Sequence, residues 1–210
     1  MSGLFITFEG GDGSGKSTQA TMLAEWLGEQ GRRVLQTREP GGSPLGVHIR
    51  ELIQHYEEDP PAARAEALLY AADRAHHIAT VVRPALATDM VVLQDRYLDS
   101  SVAYQGAGRV LDPDEVRGLS LWAAEGLLPQ LTVLLDLDVD TGLRRLAGSR
   151  DRYDRLEAED RAFHERVRAA YLRFAAEEPV RFLVLDARRP AAELAVAIRG
   201  RVTALLAADG

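Results

Sequence analysis

Short apolar runs alternate with stretches in which apolar residues recur every three or four positions, and this alternation predicts the fold class. Leu4–Phe8, Val34–Thr37, Met90–Gln94, Leu131–Asp136 and Phe182–Leu185 read as buried strands. Between them Ala20, Leu23, Ala24 and Leu27 keep helical spacing, as do Leu45, Ile49, Leu52 and Ile53. Leu68, Leu69, Ala72, Ala75 and Ala79 follow, then Phe163, Val167, Tyr171 and Phe174, and finally Leu194, Ile198, Val202 and Leu205. Ser43-Pro44 reads as a cap with a first helical residue, and Asp112-Pro113-Asp114-Glu115 as a cap with an acidic third position. Strands alternating with helices predict a three-layer α/β domain, a five-stranded parallel sheet with helices on both faces. Without repeats or a long linker, residues 1–210 read as a single domain.

Composition narrows the possibilities. There is no cysteine, which excludes disulfides, thiol catalysis and a zinc–thiolate site. No leader-like segment precedes the first strand and no apolar run is long enough to span a membrane, so a cytoplasmic location without a membrane partner is expected. The net charge of −7 disfavours nonspecific nucleic-acid binding, which needs a basic surface.

The chain carries twenty-four arginines and a single lysine, Lys16. That lysine sits in Gly10-Gly11-Asp12-Gly13-Ser14-Gly15-Lys16-Ser17, which fits G-x-x-x-x-G-K-[ST] at every fixed position and runs on into Thr18. Successive N–H groups of such a loop form an anion nest, and the following helix adds its positive end. A slim ammonium reaches into that nest where a planar guanidinium fits poorly, and the Ser17 hydroxyl is placed to ligate Mg²⁺. Strand, loop and helix in that order are the context the motif requires. Ligands in parallel sheets bind beyond the carboxyl ends of the strands, so Glu9, Arg38-Glu39-Pro40-Gly41-Gly42 and Asp95-Arg96-Tyr97 are expected to converge on the nucleotide.

With Leu68-Leu69-Tyr70-Ala71-Ala72-Asp73-Arg74 and Ala103-Tyr104-Gln105-Gly106 added, nearly the whole chain resembles the thymidylate kinases, which move the γ-phosphate of ATP onto dTMP. That resemblance implies roles. Tyr70 stacks on thymine, Arg74 bonds a thymine carbonyl, and Ser101 reads the base edge with Gln105 nearby. Tyr104 packs beside the sugar, and Asp12 lies near the 3′-hydroxyl and the metal. Arg38 and Arg96 grip the acceptor phosphate, for which bidentate arginine pairs suit. Lys16 and the loop hold ATP, Arg145 packs on adenine, and Ser17 with Asp95 belongs to the Mg²⁺ shell. Residues 144–157 resemble a mobile lid ending in Asp154-Arg155-Leu156-Glu157, although their mixed charge also fits a solvated helix. Gly13 replaces the loop arginine of some family members, so the catalytic arginine is expected in the lid, at Arg150 or, with a shifted loop, Arg152. A homodimer is implied by the same resemblance.

Other features point to no chemistry. His76 and His77, about 100° apart on a helix, are expected as surface side chains that cannot share a metal. Asp136, Asp138 and Asp140 imitate the start of a calcium loop, but Thr141 and Ala147 stand where glycine and glutamate belong. A GTPase is disfavoured, because the chain has no asparagine and no second lysine for guanine. Another small kinase, or a non-catalytic ATP-binding module, stays open at this level.

Overall fold

The computed structural model describes residues 3–54, 56, 58–147 and 155–208. Strands β1 (Leu4–Glu9), β2 (Val34–Arg38), β3 (Val91–Asp95), β4 (Leu131–Asp136) and β5 (Phe182–Asp186) form one parallel sheet in the order β2-β3-β1-β4-β5. Each lies within a residue of the expected run. The register pairs Phe8 and Arg38 with Asp95 and Glu9 with Leu134, so the polar strand ends reach one edge together.

Both sheet faces are covered. Leu4, Ile6 and Phe8 pack against helix α1 (Lys16–Glu29), through Leu23 and Leu27, and against the C-terminal helix through Leu194, Ile198 and Val202. On the other face Phe5 and Val92 meet Tyr97 and Ile78, and Leu134 meets Phe163, Val167, Tyr171 and Phe174. Leu27 is fully buried, and cutting such a side chain to alanine costs about 2–5 kcal/mol. The two edge strands depart from expectation. β2 and β5 leave several side chains partly exposed, because an edge strand lacks a neighbour on one side and helices cover it less completely.

Helix α2 (Pro44–Gln54) starts with the expected cap, Ser43 Oγ accepting from Gly46 N at 3.0 Å. Beside it runs α3 (Ala63–His77), which continues through wide i→i+5 turns at Ile78–Val82 into α4 (Arg83–Ala87). The hydrophobic pattern predicts the existence of α3 but not its orientation. Glu66, Asp73, Arg74 and His77 are buried, whereas Leu68 is 58% exposed. The polar face of α3 thus turns inward, toward other polar groups that the strand ends supply.

The short α5 (Leu98–Ser101) passes directly into an i→i+5 segment, Val102–Gly108. Helix α6 (Pro113–Ala123) has Asp112 as its cap, accepting from Asp114 N at 2.9 Å. Helices α7 (Val139–Ala147), α8 (Arg161–Glu177) and α9 (Ala191–Ala208) complete the layers. Asp138 caps α7 at Thr141 N, Asp136 forks onto Arg168, and Asp140 pairs with Arg161, so the calcium-like triplet is a strand end and a helix start. No described helix is long and apolar enough to cross a membrane.

Candidate active site

The phosphate loop owes its shape to glycines at positive φ. Gly10, Gly13 and Gly15 lie at 131°, 73° and 95°. A Cβ on Gly10 would meet Leu135 O at 2.4 Å and one on Gly13 would meet Gly142 O at 2.7 Å, so the loop rests directly on the backbone of β4 and α7. The start of α1 has no side-chain cap, which leaves its N–H groups open to an anion. Lys16 donates to Gly10 O at 3.1 Å and Gly11 O at 2.9 Å. It is only 7% exposed, and the two backbone carbonyls take up its ammonium. Burial and the nearby Arg96 both lower its pKa, against the pull of Asp95, Asp12 and Glu9. Thr18 is exposed beyond the loop, and Arg145 of α7 spans from Gly13 O to Ala187 O on its outer side.

Across the loop Asp12, Arg96 and Tyr104 form a closed triangle. Arg96 Nη2 meets Asp12 Oδ1 at 2.5 Å, Tyr104 Oη donates to Asp12 Oδ2 at 3.1 Å, and the guanidinium lies 4.8 Å from the Tyr104 ring centre. Burial alone would raise the Asp12 carboxyl, but Arg96, Lys16 and the Tyr104 hydroxyl overcome it and hold the group far below the usual carboxylate range. Arg96 adopts φ 64°, a left-handed conformation that a non-glycine residue rarely takes outside a constrained site. Behind the triangle Glu9 accepts from Tyr97 N at 2.8 Å, Ser100 Oγ at 2.6 Å and Tyr171 Oη at 3.0 Å. Burial, then Asp99, pushes its pKa up to about 7.

The triangle is one end of a cavity whose other end is built from α3, α5 and the i→i+5 segment. Tyr70, Arg74, Ser101, Tyr104 and Gln105 all line it, together with Asp12, Lys16 and Arg96. Arg74 is 1% exposed and held on three sides: Nε to Glu39 Oε2 at 2.9 Å, Nη1 to Ser120 Oγ at 3.1 Å, Nη2 to Ser101 Oγ at 3.0 Å. The i→i+5 turns shift the helical phase so that Tyr104 and Gln105 both contribute to the wall, a common use of such turns.

Arg38 does not join this cavity. Its side chain is exposed and lines an adjoining one with Ser17, Thr37 and Asp95. The cation that sequence reasoning missed is Arg50, which lines the same cavity as Arg74 and Arg96 and donates to Pro40 O at 3.0 Å. The available signal was its place between Ile49 and Ile53 on the inward side of α2. A second omission is His77. Expected at the surface, it is fully buried, with Nδ1 3.1 Å from Glu39 Oε1 and Nε2 2.7 Å from Thr37 Oγ1. The inward turn of α3 explains it, since Glu39 and Thr37 offer the ring partners that a surface position lacks. Arg150, Arg152 and Asp154 lie outside the described residues. Arg155 is described, and docks on Ile53 O and Glu66.

Ser17 Oγ donates to Asp95 Oδ2 at 2.8 Å, while Asp95 Oδ1 is buried with no hydrogen-bond partner among the described residues. A hydroxyl beside a carboxylate with one oxygen to spare fits a hard cation that takes its remaining ligands from phosphate and water. No group of three or more His, Cys, Asp or Glu suited to a metal occurs among the described residues.

The geometry can be set beside known proteins. The family model described as Thymidylate kinase matches residues 8–198. A thymidylate kinase of Leifsonia xyli is 70% identical over 95% of this chain and 94% of its own length. One from Clavibacter michiganensis is 65% identical over 99% and 98%. The crystal structure of thymidylate kinase from Ehrlichia chaffeensis superposes with a TM-score of 0.79 at 28% identity, covering 97% of this chain and 100% of that one.

Proposed function

The chain belongs to the thymidylate kinase family, and from that premise we propose how its residues carry the γ-phosphate of ATP to dTMP. One observation supports the reading above the others: a single cavity has phosphate-binding groups (Lys16, Arg96 and Arg50) at one end and base-reading groups (Tyr70, Arg74, Ser101 and Gln105) at the other. A nucleoside monophosphate fits that polarity, its phosphate toward the loop and its ring toward α3.

The donor triphosphate lies on the N–H groups of the loop, with Lys16 released from Gly10 O and Gly11 O to meet the β- and γ-phosphates. Arg145 borders the adenine side. An oxygen of the acceptor phosphate attacks the γ-phosphorus, the bond to the β-phosphate oxygen breaks, and ADP leaves. That oxygen is already anionic at neutral pH, so no base is needed; the residues position the two phosphates and offset their charge. Arg96 lies between loop and cavity and aligns the acceptor, while Asp12, ionised at any working pH, orients Arg96 and Tyr104 and faces the sugar. Arg38, from the adjoining cavity, reaches the phosphates only from the Ser17–Asp95 side. Ser17 and Asp95 would hold Mg²⁺, which neutralises phosphate charge when bound. Arg150, or Arg152, is assigned as the catalytic arginine by resemblance alone, within a lid near 144–157 of an otherwise single-domain chain.

Two copies associate through the apolar stripes that α2 and α3 leave uncovered, Leu45 and Leu52 on one and Leu68 with Ala72 on the other, and the enzyme works in the cytoplasm. A coupled assay of ADP release across dTMP, dUMP, UMP, CMP, AMP and GMP tests the reading. Preference for dTMP is the expected result; equal rates with a ribonucleotide would show that the base and sugar walls are misassigned.

A further inference from the structure

At the base end of the cavity one buried amide has its two ends in unequal circumstances. Gln105 is 1% exposed and lines the cavity. Its Nε2 donates to Glu66 Oε1 at 2.9 Å, while its Oε1 is buried without a partner among the described residues. Glu66 itself is fully buried and does not line the cavity. It takes donors only: Gln105, Arg109 through Nε and Nη2 at 3.3 Å, and Arg155 through Nη2.

An ionised carboxylate has no hydrogen to give. Turning the Gln105 amide over would set its carbonyl oxygen against Glu66, so the orientation of this glutamine follows from its partner's chemistry. What remains is a buried carbonyl oxygen, on a side chain that lines the cavity, with no donor among the described residues. Burying an acceptor in that state is unfavourable, and such exceptions in folded proteins call for an explanation. Tyr70 lies one helical turn after Glu66, and Ser101 one turn before Gln105, so this oxygen belongs to the end where the ring of the acceptor would lie.

We infer that Glu66 is a positioning residue that sets base specificity: it holds Gln105 so that the cavity offers an acceptor to the ring edge. A pyrimidine whose N3 bears hydrogen, as in thymine or uracil, satisfies the orphan oxygen. Cytosine has an acceptor at N3, which would face that oxygen lone pair to lone pair. Arg109 and Arg155 also donate to Glu66, so its oxygens are engaged as acceptors and the amide is held from turning. The inference rests on the cavity being the dTMP site and adds where selectivity against dCMP originates.

The test compares kcat/KM for dTMP, dUMP and dCMP in the wild type, Glu66→Gln and Glu66→Asp. In Glu66→Gln the new amide can donate to Gln105 Oε1, so Gln105 is released to present either end. The dTMP-to-dCMP ratio should fall by roughly tenfold or more, with the dTMP-to-dUMP ratio and KM for ATP unmoved. Glu66→Asp keeps an acceptor-only partner and should retain most of the discrimination. A folded Glu66→Gln enzyme with an unchanged dTMP-to-dCMP ratio overturns the inference. Should that variant not fold, ¹⁵N spectra of the wild-type glutamine side chains decide. The Gln105 amide protons should be protected from solvent exchange both free and with dTMP bound; loss of that protection on binding dTMP would mean the amide turns over, and would sink the proposal. A wild type inactive on dTMP would instead refute the reading of the cavity itself.

Discussion

Arg74 closes one wall of the acceptor cavity while meeting Glu39, Ser101 and Ser120, so removing it acts on stability before it acts on binding. Arg74→Ala would leave Glu39, buried to 4% exposure, with the His77 ring as its remaining side-chain partner among the described residues. Breaking a buried pair from one side costs about 3–5 kcal/mol. The expected outcome is a clear loss in chemical denaturation accompanying weaker dTMP binding; a variant with wild-type stability would mean that Glu39 finds another donor. Glu9 presents the opposite case, a carboxyl that the fold holds at a cost. Its pKa rises from about 4.5 to about 7, chiefly by burial, so the folded state binds the proton more tightly than the unfolded chain. Stability from this group is therefore fully present below about pH 4.5 and declines as pH rises through about 7. The slope across that window reaches about 1.4 kcal/mol per pH unit. In Glu9→Gln the amide can still accept from Tyr97 N and can donate to the Ser100 or Tyr171 hydroxyl. Its stability relative to wild type should improve between pH 5 and 7 and level off above. Denaturation midpoints at four pH values check this, and a pH-independent difference would count against the raised pKa.

Elements differ in how much of them the sequence reveals. The strands, the phosphate loop and the caps at Ser43 and Asp112 announce themselves because backbone chemistry is local: glycines admit positive φ, and a short polar side chain closes a helix start. The inward face of α3 was not legible. Its apolar residues keep helical spacing, yet Glu66, Asp73, Arg74 and His77 are buried alongside Ala67 and Ala71, since their partners Glu39, Gly41, Ser101 and Gln105 come from distant segments. The residues of Tyr70 to Arg74 were recognised through resemblance, whereas Arg50 and Ser120 needed the folded arrangement. Contact between elements also bears on catalysis. Gly13 lies at φ 73°, with Gly142 O only 2.7 Å from where a Cβ would be. Gly13→Ala should push the loop off α7 and raise KM for ATP with dTMP binding little changed; an unaltered KM for ATP would show that the loop can yield without consequence. Because Gly13 places no cation over the transferring phosphate, Arg150→Ala should lower kcat by on the order of 10³ with KM for dTMP nearly constant. Arg152→Ala should lose much less, and near-normal kcat in both would move the charge stabilisation elsewhere.

For the molecule as a whole, the inward turn of α3 has an outward consequence. Burying its polar face against the acceptor site leaves Leu68 58% exposed, and on the adjacent α2 Leu45 and Leu52 are each 47% exposed. Apolar side chains in neighbouring stripes are favourable to cover, at about 25 cal/mol per Å² removed from water. The chain carries a net charge of −7, so two copies repel at long range and the proposed association would come from this apolar contact rather than from charge. A second copy on the stripes would make α3 a shared wall, one face against the partner and the other against the cavity that holds Tyr70 and Arg74. Light scattering should give twice the mass of the chain for the wild type and the single mass for Leu68→Glu, with the difference insensitive to salt. The same substitution should raise KM for dTMP more than KM for ATP, because α3 lines the acceptor cavity while the phosphate loop is carried by β1 and α1. A monomeric wild type, or a Leu68→Glu variant that stays dimeric with both KM values unchanged, would remove the stripes from the interface and leave the exposure of Leu68 to be explained by a different partner.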